Sequence, residues 1–311
     1  MCSMPAEISW QVLRQIARDW AGASADLAEV KTLDGGSVAT TLCLTTAAGD
    51  RAVLKITPHR VDRSYADEAA QLKLLREKGL PVPNVYAAAV GTLDNPFSYL
   101  LMEFVYGVDL AGVKACCEPP DFDAVQSALA ETVLSLHSNT ATHYMRVTHD
   151  EPTRFDNWAR CYREIYDAIW HELEKSNVLP TKCRKIVSKV HERLETLLAH
   201  GDSPRLSHGD MWSTNLLFRP DDTGKWRLAA LIDPNCRYAH CEAELAYLEL
   251  FHTVTPAFLK SYQQAQRLPA EYHRVRKPVY QLYEMLNHLM VFGHEYLKPT
   301  LVAIERVTPL V

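Results

Sequence analysis

The sequence predicts an α+β fold in two lobes, a small antiparallel-sheet lobe over residues 1–105 and a larger, mainly helical lobe over 106–311. Three observations predict it. Up to Gly107, β-rich apolar runs alternate with glycine-bearing turns around one central amphipathic helix. Beyond Gly107, apolar residues recur at helical spacing along most of the chain. One hairpin pattern, set between helical stretches, interrupts them. The 311 residues suffice for two lobes with a substantial core, and no repeat, low-complexity tract or long linker divides them.

Residues 5–20 open the chain with Ile8, Val12, Ile16 and Trp20 on one helical face. In VKTLDGGSVATTLCLTTAAGDRAVLKIT a Gly-Gly turn and a Gly-Asp turn separate β-rich runs, the pattern of antiparallel strands. VDRSYADEAAQLKLLREKG follows, with Tyr65, Ala69, Leu72 and Leu75 on one face and Gly79 as the C-cap. PVPNVYAAAV and FSYLLMEFVYG read as two more strands. In the second lobe Phe122, Val125, Leu129, Val133 and Leu136 form a helical stripe, and similar stripes occur near 155–175, 181–199 and 271–295. Between the last two, TNLLFRP, the turn DDTGK and WRLAALIDP form the hairpin. Two such lobes imply a cleft between them, a common place for a ligand.

Composition excludes several function classes. The net charge of −5 gives no long-range attraction to nucleic acid or anionic lipid. The start, MCSMPAEISWQVLRQ, lacks the basic and apolar regions of a signal peptide, and no apolar stretch approaches the roughly 20 residues that span a bilayer. The 8 cysteines form no CxxC pair, and the 13 histidines form no HExxH or other close grouping. A cytoplasmic chain with reduced thiols, without nucleic acid or membrane partners, is the expectation.

The chemistry is concentrated in LSHGDMWSTNLLF, residues 206–218. His208-Gly209-Asp210, then Asn215, then a hairpin that delivers Asp233 is the layout of a kinase catalytic loop and its metal-binding aspartate. Phosphoryl transfer needs an oriented hydroxyl, metal-bridged phosphates and neutralised charge rather than covalent help. Asp210 can accept the proton of the attacking hydroxyl. Asn215 and Asp233 offer hard oxygen ligands to Mg²⁺, which takes few protein ligands. Lys55 sits inside an alternating apolar strand, and Glu68 follows thirteen residues later, early on the next helix. Such a pair holds the α- and β-phosphates of ATP in kinases. Gly35 and Gly36 in LDGGSV either cover the phosphates or make a simple hairpin turn, since the stretch is neither GxGxxG nor a Walker A motif. The main chain near Glu103 to Val105 either binds the adenine edge or belongs to a plain apolar strand.

Only ten residues separate Asp233 from Glu244, which leaves no room for a peptide-docking activation segment. The acceptor is therefore expected to be a small molecule.

With these residues in place, the chain resembles the fructosamine kinase family, relatives of the aminoglycoside and choline phosphotransferases with a protein-kinase-like fold. HGDMWSTN is similar to that family's HGDLWSGN. IDPNCRYAHCEAELAYLELF resembles its DPA-x-YYGHRE-x-(D/E)LA-x-x-x-LF, and VYQLYEMLNHLMVFGHEYLKPTLVAIERV resembles its LYQLYxxLNHxxxFGxxY signature. The resemblance implies an ATP- and Mg²⁺-dependent kinase acting on the C3 hydroxyl of a ketosamine. In it Asp210 is the base, Asn215 and Asp233 hold Mg²⁺, and Lys55 with Glu68 holds the phosphates. Trp212 either lines the sugar pocket or fills the core of the loop, and His208 braces that loop. The chain departs from the family at Ser37, where many members carry a cysteine, in THYMRVTHDEPTRFDNW, and in LFHTVTPAF, which lacks a Gly-Gly. Two other readings stand beside the ketosamine kinase. One is a kinase for another hydroxyl compound, such as an aminoglycoside or amino alcohol, with Glu242, Glu244 and Glu249 as acidic candidates. The other is a nucleotide-binding pseudokinase, against which the retained Lys55, Glu68, Asp210, Asn215 and Asp233 argue.

Overall fold

Ser9 caps the first helix, α1 (Trp10–Ala21), by accepting the Val12 N–H at 3.4 Å. The structure, a computed structural model, describes residues 8–33, 40–58, 63–92, 97–176 and 178–311. Gly35 and Gly36, with the loop at 34–37, lie outside the described residues.

After α1 come β1 (Leu27–Thr32), β2 (Thr40–Thr46), β3 (Arg51–Pro58), α2 (Ser64–Glu77), β4 (Val85–Ala89) and β5 (Phe97–Glu103). The chain continues through β6 (Val108–Asp109), α3 (Leu110–Cys116), α4 (Pro119–His137), β7 (Met145–Arg146) and α5 (Trp158–Lys175). Next are α6 (Thr181–Glu192), α7 (Leu194–Leu197), β8 (Arg205–Ser207), β9 (Leu216–Pro220), β10 (Trp226–Leu231) and β11 (Arg237–Ala239). The last helices are α8 (Cys241–Leu250), α9 (Pro256–Ala265), α10 (Lys277–Phe292) and α11 (Leu297–Val307). These elements form two compact units.

The first unit comprises Met1–Val108, Val147–Glu151 and Leu216–Asn235. Its antiparallel sheet runs β1-β2-β3-β5-β4, so β3 is the middle strand. Alternation along β3 buries Ala52, Leu54 and Ile56 against Leu13, Ile16 and Ala17 of α1, together with Leu42 and Leu44 of β2. Lys55 belongs to the opposite, half-buried set. Helix α2 buries Tyr65, Ala69, Leu72 and Leu75, the face its sequence predicts. Its polar side secures the inserted segment: Gln71 donates to the Val147 carbonyl at 2.8 Å, and Asp67 accepts the His149 N–H at 2.9 Å. The β9–β10 hairpin is where the sequence predicts it, and Leu231 donates to the Pro81 carbonyl at 2.8 Å. Gly107 passes so close to the hairpin that a Cβ there would lie 2.8 Å from the Phe218 carbonyl oxygen.

The second unit comprises Asp109–Arg146, Pro152–Asn215 and Cys236–Val311. A three-stranded antiparallel sheet, β7-β11-β8, sits among its helices. Helix α4 packs on α9, and α10 packs on α5, α8 and α11. The predicted helical stretch at 271–295 is divided. Tyr272–Arg276 forms a wide π-type turn before α10, because Pro278 has no N–H to continue the ordinary ladder into that turn. None of the described cysteines forms a disulfide. Among the described residues no helix is long and apolar enough to cross a membrane.

Candidate active site

In the first unit, Lys55 on β3 forms an ion pair with Glu68 of α2 at 2.7 Å and a second with Asp233. Burial alone would lower the lysine's pKa, but the two carboxylates outweigh it and hold the value above the ordinary one. Glu68 is raised by burial and by the Asp233 charge, against the pull of Lys55. One cation serving two carboxylates leaves the cluster with excess negative charge. Asp233 adopts φ 55°, the left-handed region that non-glycine residues seldom occupy. It follows the end of β10 and precedes Pro234, so the hairpin fixes where its carboxylate starts.

Glu103 closes β5. Its N–H donates to the Asn84 carbonyl at 2.8 Å, and its carboxylate accepts from the Asn84 side chain at 2.8 Å. Val105 lies in the irregular stretch between β5 and β6, half-buried.

In the second unit, β8 leads into the loop that carries Asp210. Gly209 takes φ 81°, which a side chain would resist, and its N–H donates to Glu244 at 2.9 Å. Glu244 is buried, and its other oxygen meets His137 at 2.9 Å; His137 in turn meets the Tyr262 hydroxyl at 2.9 Å. Burial alone would raise the Glu244 pKa, but His137 and the Gly209 N–H hold it below the usual range. A buried anion therefore fastens the loop. His208 is fully buried, with Nδ1 accepting from the Asp210 N–H at 3.4 Å.

The Asp210 carboxylate accepts hydrogen bonds from the Asn215 amide at 3.1 Å and from the Tyr247 hydroxyl at 2.5 Å. Asn215 Nδ2 also donates to the Asp210 carbonyl at 2.9 Å. Burial and the neighbouring Asp210 charge push the Tyr247 pKa far up, so this phenol remains a donor. Glu244 and Tyr247 are three residues apart on α8, on one helical face, and grip Gly209 and Asp210 respectively. Sequence reasoning missed Tyr247; the i, i+3 spacing from Glu244 was its signal. Trp212 is 39% exposed, which removes the reading of it as a core residue.

Glu242, Glu244 and Glu249, the acidic candidates for a polycationic acceptor, are all engaged elsewhere. Glu242 binds Arg276 at 2.5 and 2.7 Å, and Glu249 binds Tyr272 at 2.5 Å and also Lys277. The fold also gathers His200, Asp202 and His240, with ligand atoms within 4.8 Å of one another. The two rings stack at 3.6 Å and 7°, so one ion cannot lie in both ring planes, and Asp202 instead hydrogen-bonds His240 at 3.2 Å.

Comparison with known proteins decides the family. The fructosamine kinase family model matches residues 9–309. The chain belongs to the fructosamine kinase family. Fructosamine kinases are phosphotransferases that act on a hydroxyl group, so this chain is a kinase-type enzyme with a small-molecule acceptor. It is 27% identical to the probable ketoamine kinase YniA of Escherichia coli (strain K12), over 96% of this chain and 99% of that protein. The protein-ribulosamine 3-kinase of Oryza sativa subsp. indica, a chloroplastic protein, is 26% identical over 88% of this chain and 77% of its own. Among solved structures, a fructosamine-3-kinase candidate from Haemophilus somnus 129PT superposes with a TM-score of 0.75 at 20% identity, over 96% and 97% of the two chains. The aminoglycoside phosphotransferase APH(4)-Ia, solved with AMP-PNP and hygromycin B, gives 0.66 at 17%, over 96% and 97%. The α+β, protein-kinase-like fold class predicted from the sequence is thus the fold of this fructosamine kinase family member.

Proposed function

We propose that this fructosamine kinase family member transfers the γ-phosphoryl group of ATP to the C3 hydroxyl of ketosamines, fructosamines or ribulosamines. The observation that carries the reading is Asp210, a carboxylate held in place by Tyr247 and Asn215 on a loop fastened by buried Glu244. Asp210 accepts the proton of the attacking hydroxyl as the new O–P bond forms and the bridging β–γ P–O bond breaks, with ADP as leaving group. Lys55, steadied by Glu68, neutralises phosphate charge. The main chain at Glu103 and Val105 is suited to the adenine edge, and Gly35 and Gly36 to covering the phosphates.

Asn215 and Asp233 are the residues that would hold Mg²⁺. The donor set fits. Asp233 brings a carboxylate to a cluster with excess negative charge, and Asn215 commits its amide N–H groups to Asp210, which leaves its oxygen as a neutral hard donor. Bound there, the ion supplies charge neutralisation at the phosphates.

The ketoamine and ribulosamine kinases among the relatives support the acceptor, and the engagement of Glu242, Glu244 and Glu249 disfavours a polycationic aminoglycoside. Phosphate at C3 is a leaving group: enolisation toward C1 expels inorganic phosphate, and water then releases the amine and a 3-deoxyosone. The outcome is deglycation, in the cytoplasm on our reading. The test is ATP consumption, with and without Mg²⁺, against a panel of ketosamines, sugars, aminoglycosides and amino alcohols. Mg²⁺-dependent turnover confined to the ketosamines is expected; turnover on an aminoglycoside or amino alcohol instead would replace the acceptor assignment.

A further inference from the structure

Helix α2 carries Glu68, the partner of Lys55, so whatever places α2 also places that pair. Its apolar face, Tyr65, Ala69, Leu72 and Leu75, is buried, and the helix packs on β4 and β5. Apolar burial is non-directional, so it keeps α2 on the sheet without fixing its slide or rotation. Polar contacts supply the direction. On one side the Tyr65 and Thr57 hydroxyls meet at 2.7 Å. Thr57 stands two residues after Lys55 on β3, and Tyr65 stands three before Glu68 on α2. The hydroxyl contact is therefore a second rung beside the Lys55–Glu68 pair.

The other side is held by chain far off in sequence. Arg63 stands at the N-cap without a side-chain capping bond among the described residues, so the usual anchor of a first turn is missing. Arg63, Asp67 and Gln71 instead recur at every fourth position, and Val147–Glu151 runs antiparallel across them. Gln71 donates to the Val147 carbonyl at 2.8 Å, Asp67 accepts the His149 N–H at 2.9 Å, and Arg63 pairs with Asp150. The steps match: two residues of chain span at most about 7 Å, and four residues of helix rise about 6 Å. Thr148 stiffens the segment by donating to the Asp150 carbonyl at 2.8 Å. The Arg63–Asp150 pair is exposed and contributes little. Gln71 is buried, and Asp67 is a charged acceptor for a backbone N–H, so these two contacts carry the attachment.

Building on the reading of Lys55 and Glu68 as the phosphate-holding pair, we infer that Val147–Glu151 is a strap that sets the position of α2, with Asp67 and Gln71 as positioning residues for Glu68. Lys55 has two carboxylates within reach, Glu68 and Asp233. A shift of α2 by about 1 Å takes the Glu68 contact beyond hydrogen-bonding distance and leaves Lys55 to Asp233 alone. Two losses then coincide. The lysine turns away from the phosphates, and the carboxylate assigned to Mg²⁺ is occupied by an ammonium. The strap lies inside THYMRVTHDEPTRFDNW, which departs from the family pattern, so this part of the departure acts on the nucleotide rather than on the acceptor.

The test reads affinity for Mg²⁺-ATP and for adenosine by calorimetry, and so needs no acceptor. Asp67→Ala and Gln71→Leu should each weaken Mg²⁺-ATP binding by about 2–30-fold, the range of coupling that such contacts carry. Adenosine affinity should be unchanged, which a general loss of folding would not allow. Asp67→Asn keeps an oxygen to accept the His149 N–H and should restore most of the Mg²⁺-ATP affinity. In a Glu68→Gln background, Gln71→Leu should add no further loss, because it acts through Glu68. Should Gln71→Leu fail to fold, the contrast between Asp67→Ala and Asp67→Asn still decides. Parent-like Mg²⁺-ATP affinity in Asp67→Ala, equal losses for both ligands, or losses that multiply in the double variant overturn the strap. Parent-like Mg²⁺-ATP affinity in Glu68→Gln alone overturns the phosphate-holding reading on which the strap rests.

Discussion

Asp210 accepts from Tyr247 and Asn215, so Asp210→Asn keeps the shape and the Tyr247 contact while removing the proton acceptor. Turnover should fall by about 10²–10⁴-fold with ATP affinity nearly unchanged, measured by steady-state kinetics and calorimetry. Near-normal turnover would remove Asp210 from the role of base. Glu284 of α10 gives a prediction in pH. Burial first, then the Asp210 charge, push its folded-state pKa up to about 8, above the usual carboxylate range, so the folded chain binds the proton more tightly than the unfolded chain. Between the two values the folded state holds more protons, and stability falls as pH rises through that window. Glu284→Gln does not titrate there. Thermal melts should therefore show the variant gaining on the parent steadily from about pH 5 to pH 8. A stability difference that is constant with pH would place the Glu284 pKa at its ordinary value. At this scale the sequence was informative where a motif spans a few residues: Asp210 and Asn215 are read from one loop, Lys55 and Glu68 from one strand and the helix after it. Tyr247 escaped notice, because what distinguishes it is a partner distant in sequence.

Among the elements, the hairpin, α2 and α4 were legible, since each carries a full period of apolar residues. Strands of two or three residues, β6, β7, β8 and β11, are too short to show any period. The attachment of Val147–Glu151 to α2 depends on a backbone carbonyl to which Gln71 donates and a backbone N–H that Asp67 accepts, which leave no mark on hydropathy. Gly107 has a comparable hidden reason. A Cβ there would strike a backbone carbonyl of β9, which cannot swing aside as a flexible side chain could. Gly107→Ala should destabilise the protein by about 1–3 kcal/mol, read as a lower urea midpoint. An unchanged midpoint would contradict so close an approach of Gly107 to β9.

For the whole molecule, the family signal extends over residues 9–309, and its reaction class was visible in the sequence because phosphoryl transfer asks for few residue types in a fixed order. The acceptor was less visible. Small-molecule recognition is distributed over side chains from several helices, and LFHTVTPAF, one of the segments that depart from the family pattern, lies in the helical second unit. The central claim is phosphorylation of a ketosamine at C3. Phosphorus NMR of the protein with Mg²⁺-ATP and a fructosyl- or ribulosyl-amine tests it most directly. The account predicts a sugar 3-phosphate resonance growing in step with ADP, followed, after the enzyme is removed, by inorganic phosphate and free amine. ADP accompanied from the outset by inorganic phosphate alone, or a phosphate ester at another carbon, would contradict it.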